Sequence, residues 1–378
     1  MSKLKELIEK LCPNGVEFKE LQEICNVSIG EFVHKNKQRE DAIYPVFNGG
    51  ISNTGFYDEY NNEGNKVLVS ARGANAGFVN KIETRYWAGN SCYSIAVKDN
   101  EYINWLYVYY FLKNNEKNLL GQQQTGSIPA ISKKQIESFK IAVPPLEVQC
   151  EIVHILDELT LLSAELMAEQ NARRIQYEYY RDNIFNNLDK YTKFSLGDIV
   201  EFINGRAYKQ EELLDSGKYK VLRVGNFGTN DRWYYSNIEL EDDKYCNKGD
   251  LLYLWSASFG PQIWEDEKTI FHYHIWKLRF NETEINKEFL YYFLDYDKEN
   301  LKSLTTNSTM PHISMTNMKT RDIYLPPIEM QRKIVKYLNA FYTLANSNLS
   351  GLPAEIEARR KQYEYYRNKL LTFKRIGE

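Results

Sequence analysis

The hexapeptide Gln176-Tyr177-Glu178-Tyr179-Tyr180-Arg181 returns unchanged as Gln362-Tyr363-Glu364-Tyr365-Tyr366-Arg367. Six identical residues in a row mark an internal duplication, and a duplication restricts the fold more than any composition does. Pro144-Pro145-Leu146-Glu147-Val148-Gln149 returns as Pro326-Pro327-Ile328-Glu329-Met330-Gln331. Upstream the match continues at a constant offset: Ile103-Asn104 with Ile285-Asn286, Tyr109 to Leu112 with Tyr291 to Leu294, and Pro129, Ile131 and Ser132 with Pro311, Ile313 and Ser314. Before that it fades to an echo of Leu21 to Ile24 in Leu196 to Ile199. Each copy therefore has a variable front and a fixed rear, and the period is too long for a solenoid.

The rears read as helix. Residues 146–188 contain no Gly or Pro, and Ile152, Leu156, Leu159, Leu162 and Leu166 recur at three- and four-residue spacing. Glu147 and Glu151 stand where the helix dipole favours anions. One helix of about 40 residues would be roughly 60 Å long. Ile334, Leu338, Phe341 and Leu344 repeat the stripe. Two such helices with little else to bury suggest an antiparallel pair between the fronts. The second copy holds four extra residues near Ser350-Gly351-Leu352-Pro353, which predict a kink or short loop.

The fronts read as mixed α/β. Strand-like runs are 66–70, 91–97, 220–224, 251–255 and 274–280, punctuated by Gly49, Gly50, Gly73, Gly77, Gly89, Gly225, Gly228 and Gly260. Each front ends in a helix, at 102–114 and 285–301, then a polar loop. The N-terminus, 1–11, reads as a short amphipathic helix that precedes the first front as the end of the 170–188 helix precedes the second. The expected fold class is α+β, with two mixed α/β domains separated by two long antiparallel helices in a pseudo-twofold, near-cyclic repeat. The expected boundaries are 1–18 for a connector, 19–143 for the first front, 144–190 for the first helical spacer, 191–325 for the second front and 326–378 for the second spacer.

Charge narrows the function. The chain carries a net −3, with residues 12–143 neutral, 144–188 at −5, 189–325 at −4 and 326–378 at +5. A free-standing nucleic-acid binder advertises a basic surplus, so DNA binding would need a local patch or a partner that supplies charge. No apolar run approaches the ~18 residues of a membrane span. The five cysteines are scattered and never spaced as CxxC, which fits a reducing cytosol. There is no Walker A sequence, no Asn-Pro-Pro-Tyr-type methyltransferase motif and no GxSxG elbow. His272 and His274, two apart on an expected strand, would face one side, but with Cys246 they fall short of a zinc ligand set, so no metal is expected.

With these residues in view, the chain resembles the specificity subunit of Type I restriction–modification systems. The two PPxExQ helix starts, the Ala172 to Arg181 and Ala358 to Arg367 segments, and the two loops entering PxIS carry the likeness over essentially the whole length. The resemblance implies two target recognition domains, each reading half of a bipartite asymmetric DNA site. It implies helical spacers that set the half-site separation and dock two modification subunits, which are adenine methyltransferases. Restriction subunits would join them, and S-adenosylmethionine, ATP and magnesium would sit on the partners. The chain itself would need no cofactor, carry no catalytic residue and work in a prokaryotic cytoplasm.

Base reading needs hydrogen-bonding side chains on loops or strand ends. The first front offers Ser70, Arg72, Asn75 and the loop residues Gln122, Gln123, Gln124, Thr125 and Ser127. The second offers Arg223, Trp255, Ser256, Ser258, His272, His274, Thr306, Asn307, Ser308 and Thr309. Ser70 and Trp255 could equally pack a core, and Arg223 and Arg232 could meet phosphate. Gln149, Tyr177, Tyr179, Tyr180, Gln331, Tyr363, Tyr365 and Tyr366 are candidates for docking partners. The tyrosines could instead pack the chain's own helices.

Overall fold

The computed structural model describes residues 2–119, 129–228, 230–256, 258–303, 312–346 and 350–377. It divides into two compact units: Met1–Leu166 with Glu355–Glu378, and Met167–Ala354. The division cuts through a helix, Leu146–Asn186, that runs unbroken for 41 residues. Its second-copy counterpart is two helices, Ile328–Asn346 and Leu352–Leu370. Ser350 and Gly351 between them are non-helical, as the four extra residues predict.

The two units are built alike. The first holds a four-stranded antiparallel sheet in the order Cys25–Ile29, Cys92–Val97, Lys66–Ser70, Val79–Ile82. The second repeats it as Val200–Asn204, Ile275–Phe280, Leu251–Ser256, Ser258–Ile263. A smaller sheet stands beside each, centred on a parallel pair: Tyr44–Phe47 with Trp87–Ala88, and Tyr219–Leu222 with Thr269–Phe271. A two-stranded ribbon closes each front, Glu17–Glu20 on Lys140–Val143 and Thr192–Ser195 on Asp322–Leu325. Apolar side chains of the main sheet pack on the helix that ends the front. Tyr107, Val108 and Leu112 are fully buried in the first unit, and Phe289, Leu290 and Leu294 in the second.

The repeated motifs are the joints of this framework. Asn104 caps helix Trp105–Asn114 by accepting from the N–H groups of Leu106 and Tyr107, and Asn286 caps Lys287–Tyr296 by accepting from Phe289. Ser132 and Ser314 cap the short helices Lys133–Glu137 and Met315–Lys319. The glutamine of each PPxExQ is completely buried. Gln149 Oε1 accepts from Asn104 N at 2.9 Å while Nε2 donates to the carbonyls of Tyr102 and Pro144. Gln331 makes the same three bonds, to Asn286 N, Glu284 O and Pro326 O, each at 2.8 Å. One amide thus ties the start of the long helix to the start of the helix ending the front. Gln149 and Gln331 are therefore not on a surface, and their place as docking candidates is corrected: their polar atoms are committed inside the unit.

The tyrosines divide by the face they occupy. Tyr177 is buried in the second unit, its ring 5.6 Å from Tyr342 and 6.3 Å from Tyr292, and Tyr180 stacks on Phe341 at 5.2 Å. Tyr363 and Tyr366 are half-buried against the core of the first unit. Tyr179 and Tyr365, the middle tyrosines of the two hexapeptides, point outward at 66% and 58% exposure. No described helix is long and apolar enough to cross a membrane.

Candidate nucleic-acid interface

The central strand of each main sheet ends at the same place in the hydrogen-bond network. In the first unit Ala71 N donates to Ser91 O at 2.8 Å, and Ile131 N donates to Ala71 O at 2.8 Å. In the second, Trp255 N donates to His274 O at 3.3 Å, and Ile313 N donates to Trp255 O at 3.0 Å. Arg72 bridges to Ala130, and Ser256 bridges to His312. Gly89 N donates to Phe47 O as His272 N donates to Leu222 O. The correspondence matches Ala71 with Trp255, Arg72 with Ser256, Gly89 with His272, Ser91 with His274, Ala130 with His312 and, next to Phe47 and Leu222, Asn48 with Arg223.

Two glycines that sequence reading passed over make this corner possible. Gly30 N donates to Cys92 O and Gly205 N to Ile275 O, so the edge strand lies tight against its neighbour. A Cβ on Gly30 would stand 2.1 Å from the Ala88 carbonyl oxygen, and one on Gly205 would stand 2.3 Å from that of Phe271. Only a residue without a side chain fits such an approach. The signal was present in Ile29-Gly30 and Asn204-Gly205, which lie at one offset beyond the Leu21 and Leu196 echo.

The same corner is furnished differently in the two units. In the second it is aromatic and basic. Trp255 stacks on Trp276 at 5.6 Å, meets His274 edge-on at 5.0 Å and donates Nε1–H to Tyr273 O at 2.9 Å. The His272 and His274 rings lie 4.8 Å apart. They sit in a turn before Ile275–Phe280 rather than on the strand expected from sequence, because Ile275 N closes back onto His272 O at 3.0 Å. Arg223, Asn226, Arg232, Ser256, His272 and His274 line a cavity of about 210 Å³. Ser256 is buried and Ser258 exposed. Cys246 is buried elsewhere, its Sγ donating to Thr269 O and its thiol pushed up to about 12 by burial.

In the first unit the corner is nearly bare. Gly89, Ser91, Ala71 and Ala130 replace the rings, Arg72 is exposed, and Ser70 is buried. Asn75 sits in the 71–78 connection between the paired strands Lys66–Ser70 and Val79–Ile82, where Gly73 and Gly77 adopt φ of 92° and 85°. Asn48 Oδ1 is buried beside Gly89 with no hydrogen-bond partner. Gln122, Gln123, Gln124, Thr125 and Ser127, and Thr306, Asn307, Ser308 and Thr309, lie outside the described residues. The segments that leave those loops, Pro129–Ile131 and His312–Ile313, are the ones paired to the strand ends.

Burial, then the nearby His274 and Arg223, lower the His272 pKa to about 4. Burial, Arg223 and His312 also lower that of His274. Tyr208 stacks over His272 from the other side, with Arg206 beyond it. At neutral pH both imidazoles are uncharged and can donate and accept hydrogen bonds. The unfolded chain protonates His272 near pH 6.5 and the folded chain only near 4. Its share of stability is therefore complete above pH 6.5 and lost as pH falls toward 4. His272→Gln should weaken the acid-side fall: between pH 7 and 5 the wild-type denaturation midpoint drops further than the variant's. Equal drops would contradict this.

The Type I restriction modification DNA specificity domain family matches residues 13–175 and again 189–358. The chain belongs to that family. It is similar to a putative type I restriction enzyme specificity subunit of Haemophilus influenzae, 31% identical over 99% of this chain and 100% of that one. The EcoR124I/EcoR124II specificity subunit of Escherichia coli is 28% identical over 71% of this chain and 70% of its own length. The fold agrees with the S subunit of the type I restriction–modification system of M. genitalium, with a TM-score of 0.59, 19% identity, and coverage of 94% of this chain and 96% of that one. The specificity-subunit family accounts for the double match: one family domain falls on each copy of the duplication. Its members serve DNA sequence recognition, and this member's two copies carry unlike side chains at the strand-end corner.

Proposed function

We propose that each unit reads one half of a bipartite, asymmetric DNA site. One observation carries this: a shared backbone frame presents unlike side chains at equivalent positions. Two identical readers would recognise a symmetric site, whereas two readers that differ at the contact corner recognise two different halves. The helices Leu146–Asn186, Ile328–Asn346 and Leu352–Leu370 set the half-site separation and dock two modification subunits. The outward Tyr179 and Tyr365 are suited to that docking, since tyrosine adds area at small entropic cost. The partners bring S-adenosylmethionine and adenine methylation, and restriction subunits bring ATP, magnesium and cleavage. The chain itself catalyses nothing and works in a prokaryotic cytoplasm.

Charge supplied by partners would offset a neutral first front and an acidic second one. The test is a genome-wide map of methylated adenine with and without this chain. A two-part motif should vanish on deletion and return on complementation. An unchanged map would overturn the reading.

A further inference from the structure

Arginine is the side chain best suited to one base edge. Its fork donates two parallel hydrogen bonds to guanine O6 and N7 in the major groove, and no other base accepts both. An arginine that no carboxylate holds can do so without giving up an ion pair. The two fronts contain eight arginines. Six are paired with carboxylates: Arg39 with Asp41 and Asp58, Arg85 with Glu63, Arg206 with Glu212, Arg232 with Asp215, Arg279 with Glu201, and Arg321 with Asp297. Among the described residues Arg72 and Arg223 have no such partner. Both stand at the strand-end corner, one in each unit, at positions that the hydrogen-bond correspondence shows to be neighbours rather than equivalents.

We propose that Arg72 and Arg223 are the guanine readers of their respective half-sites. The proposal deepens the function proposed above and rests on it.

The surroundings favour a base edge over a phosphate. The Arg223 guanidinium lies 5.4 Å from the centre of the Tyr234 ring, which limits its swing, and its backbone N–H is held by Asn226 Oδ1 at 2.9 Å. It opens into a concave site lined by Ser256, His272 and His274, groups that hydrogen-bond without adding fixed charge. A phosphate site would collect cations, but Arg232, the other arginine lining the cavity, is engaged with Asp215 at 3.2 Å. Residues 189–325 as a whole are acidic by four charges. In the first unit, Arg72 is exposed and paired through its backbone with Ala130. Gly89, Ser91 and Ala130 take the places of three imidazoles, so small side chains surround Arg72. The uncommitted Asn48 Oδ1 borders Gly89 there.

Each half of the motif should therefore contain one G·C pair that depends on one arginine. The test uses the full chain assembled with its modification subunits. Methylation is sequenced on a DNA library randomised across both half-sites, at fixed salt. Arg223→Ala should relax a single G·C position in one half by about 10- to 100-fold in discrimination and leave the other half intact. Arg72→Ala should do the same in the other half. Arg223→Lys and Arg72→Lys should fail to restore the preference, because an ammonium cannot bond both acceptors at once. Uniform weakening with an unchanged motif, and a salt slope reduced by about one, would mark phosphate contacts and overturn the proposal. An unaltered motif at unaltered affinity would overturn it too, leaving the two-reader function standing. A wild-type complex with no two-part motif would instead overturn that function, and the proposal with it.

Discussion

Gln331→Met lowers the stability of the unit at residues 167–354 by about 3–5 kcal/mol, and Gln149→Met does the same in the other unit. Methionine keeps the volume and removes every hydrogen bond. Three groups lose their partners at each site, one in a buried bond (the carbonyl of Pro326 or Pro144) and two in part-buried ones (the N–H of Asn286 and the carbonyl of Glu284, or the N–H of Asn104 and the carbonyl of Tyr102). An orphaned buried polar group costs about 1–3 kcal/mol, and neighbouring costs are not fully additive. The loss should be local, since each glutamine bonds only within its own unit. Native-state hydrogen exchange resolves this. Gln331→Met should reduce protection in helix Lys287–Tyr296 and leave helix Trp105–Asn114 unchanged. A loss below about 1 kcal/mol, or equal loss in both helices, would contradict the joint described above.

This explains which parts of the molecule the amino-acid sequence makes legible. Periodicity and punctuation locate most of the framework. The strand read at 66–70 is Lys66–Ser70, the helix read at 146–188 is Leu146–Asn186, and the helix read at 285–301 divides into Lys287–Tyr296 and Lys298–Ser303. Identical residues recur where the backbone requires one chemistry, as at the caps Asn104 and Asn286 and the ties Gln149 and Gln331. Visible repetition therefore marks joints, and a joint is buried by nature. That is why the glutamines read as partner contacts are interior residues.

The strand-end corner is legible only in part, for the opposite reason. Apart from Gly30 and Gly205, equivalent positions there share backbone hydrogen bonds and no side-chain chemistry. Gly30 and Gly205 differ by 175 in number, Gly89 and His272 by 183, and Ala71 and Trp255 by 184. Insertions between them erase any fixed offset. Arg72, Arg223, His272 and His274 can be picked out by residue type, whereas Asn48, Ser91 and His312 require the network that places them. His272 and His274 were expected on a strand because alternation resembles pleating; a closed turn brings the two rings together just as well.

The central claim is that the two fronts are separate readers on one frame, and the most direct measurement exchanges one of them. Residues 19–143 are replaced by the corresponding segment of a family member whose motif differs, with the helical segments kept. The Gln149 tie meets only backbone groups at residues 102 and 104 of the front, so it can re-form with the incoming one. The methylated motif of the reassembled complex is then sequenced. The account predicts that one half of the motif changes to that of the donor, a change of several kcal/mol in discrimination summed over its base pairs at about 1–3 kcal/mol each. The other half and the spacing between halves stay as they were. A motif altered in both halves, or altered in neither, would contradict it.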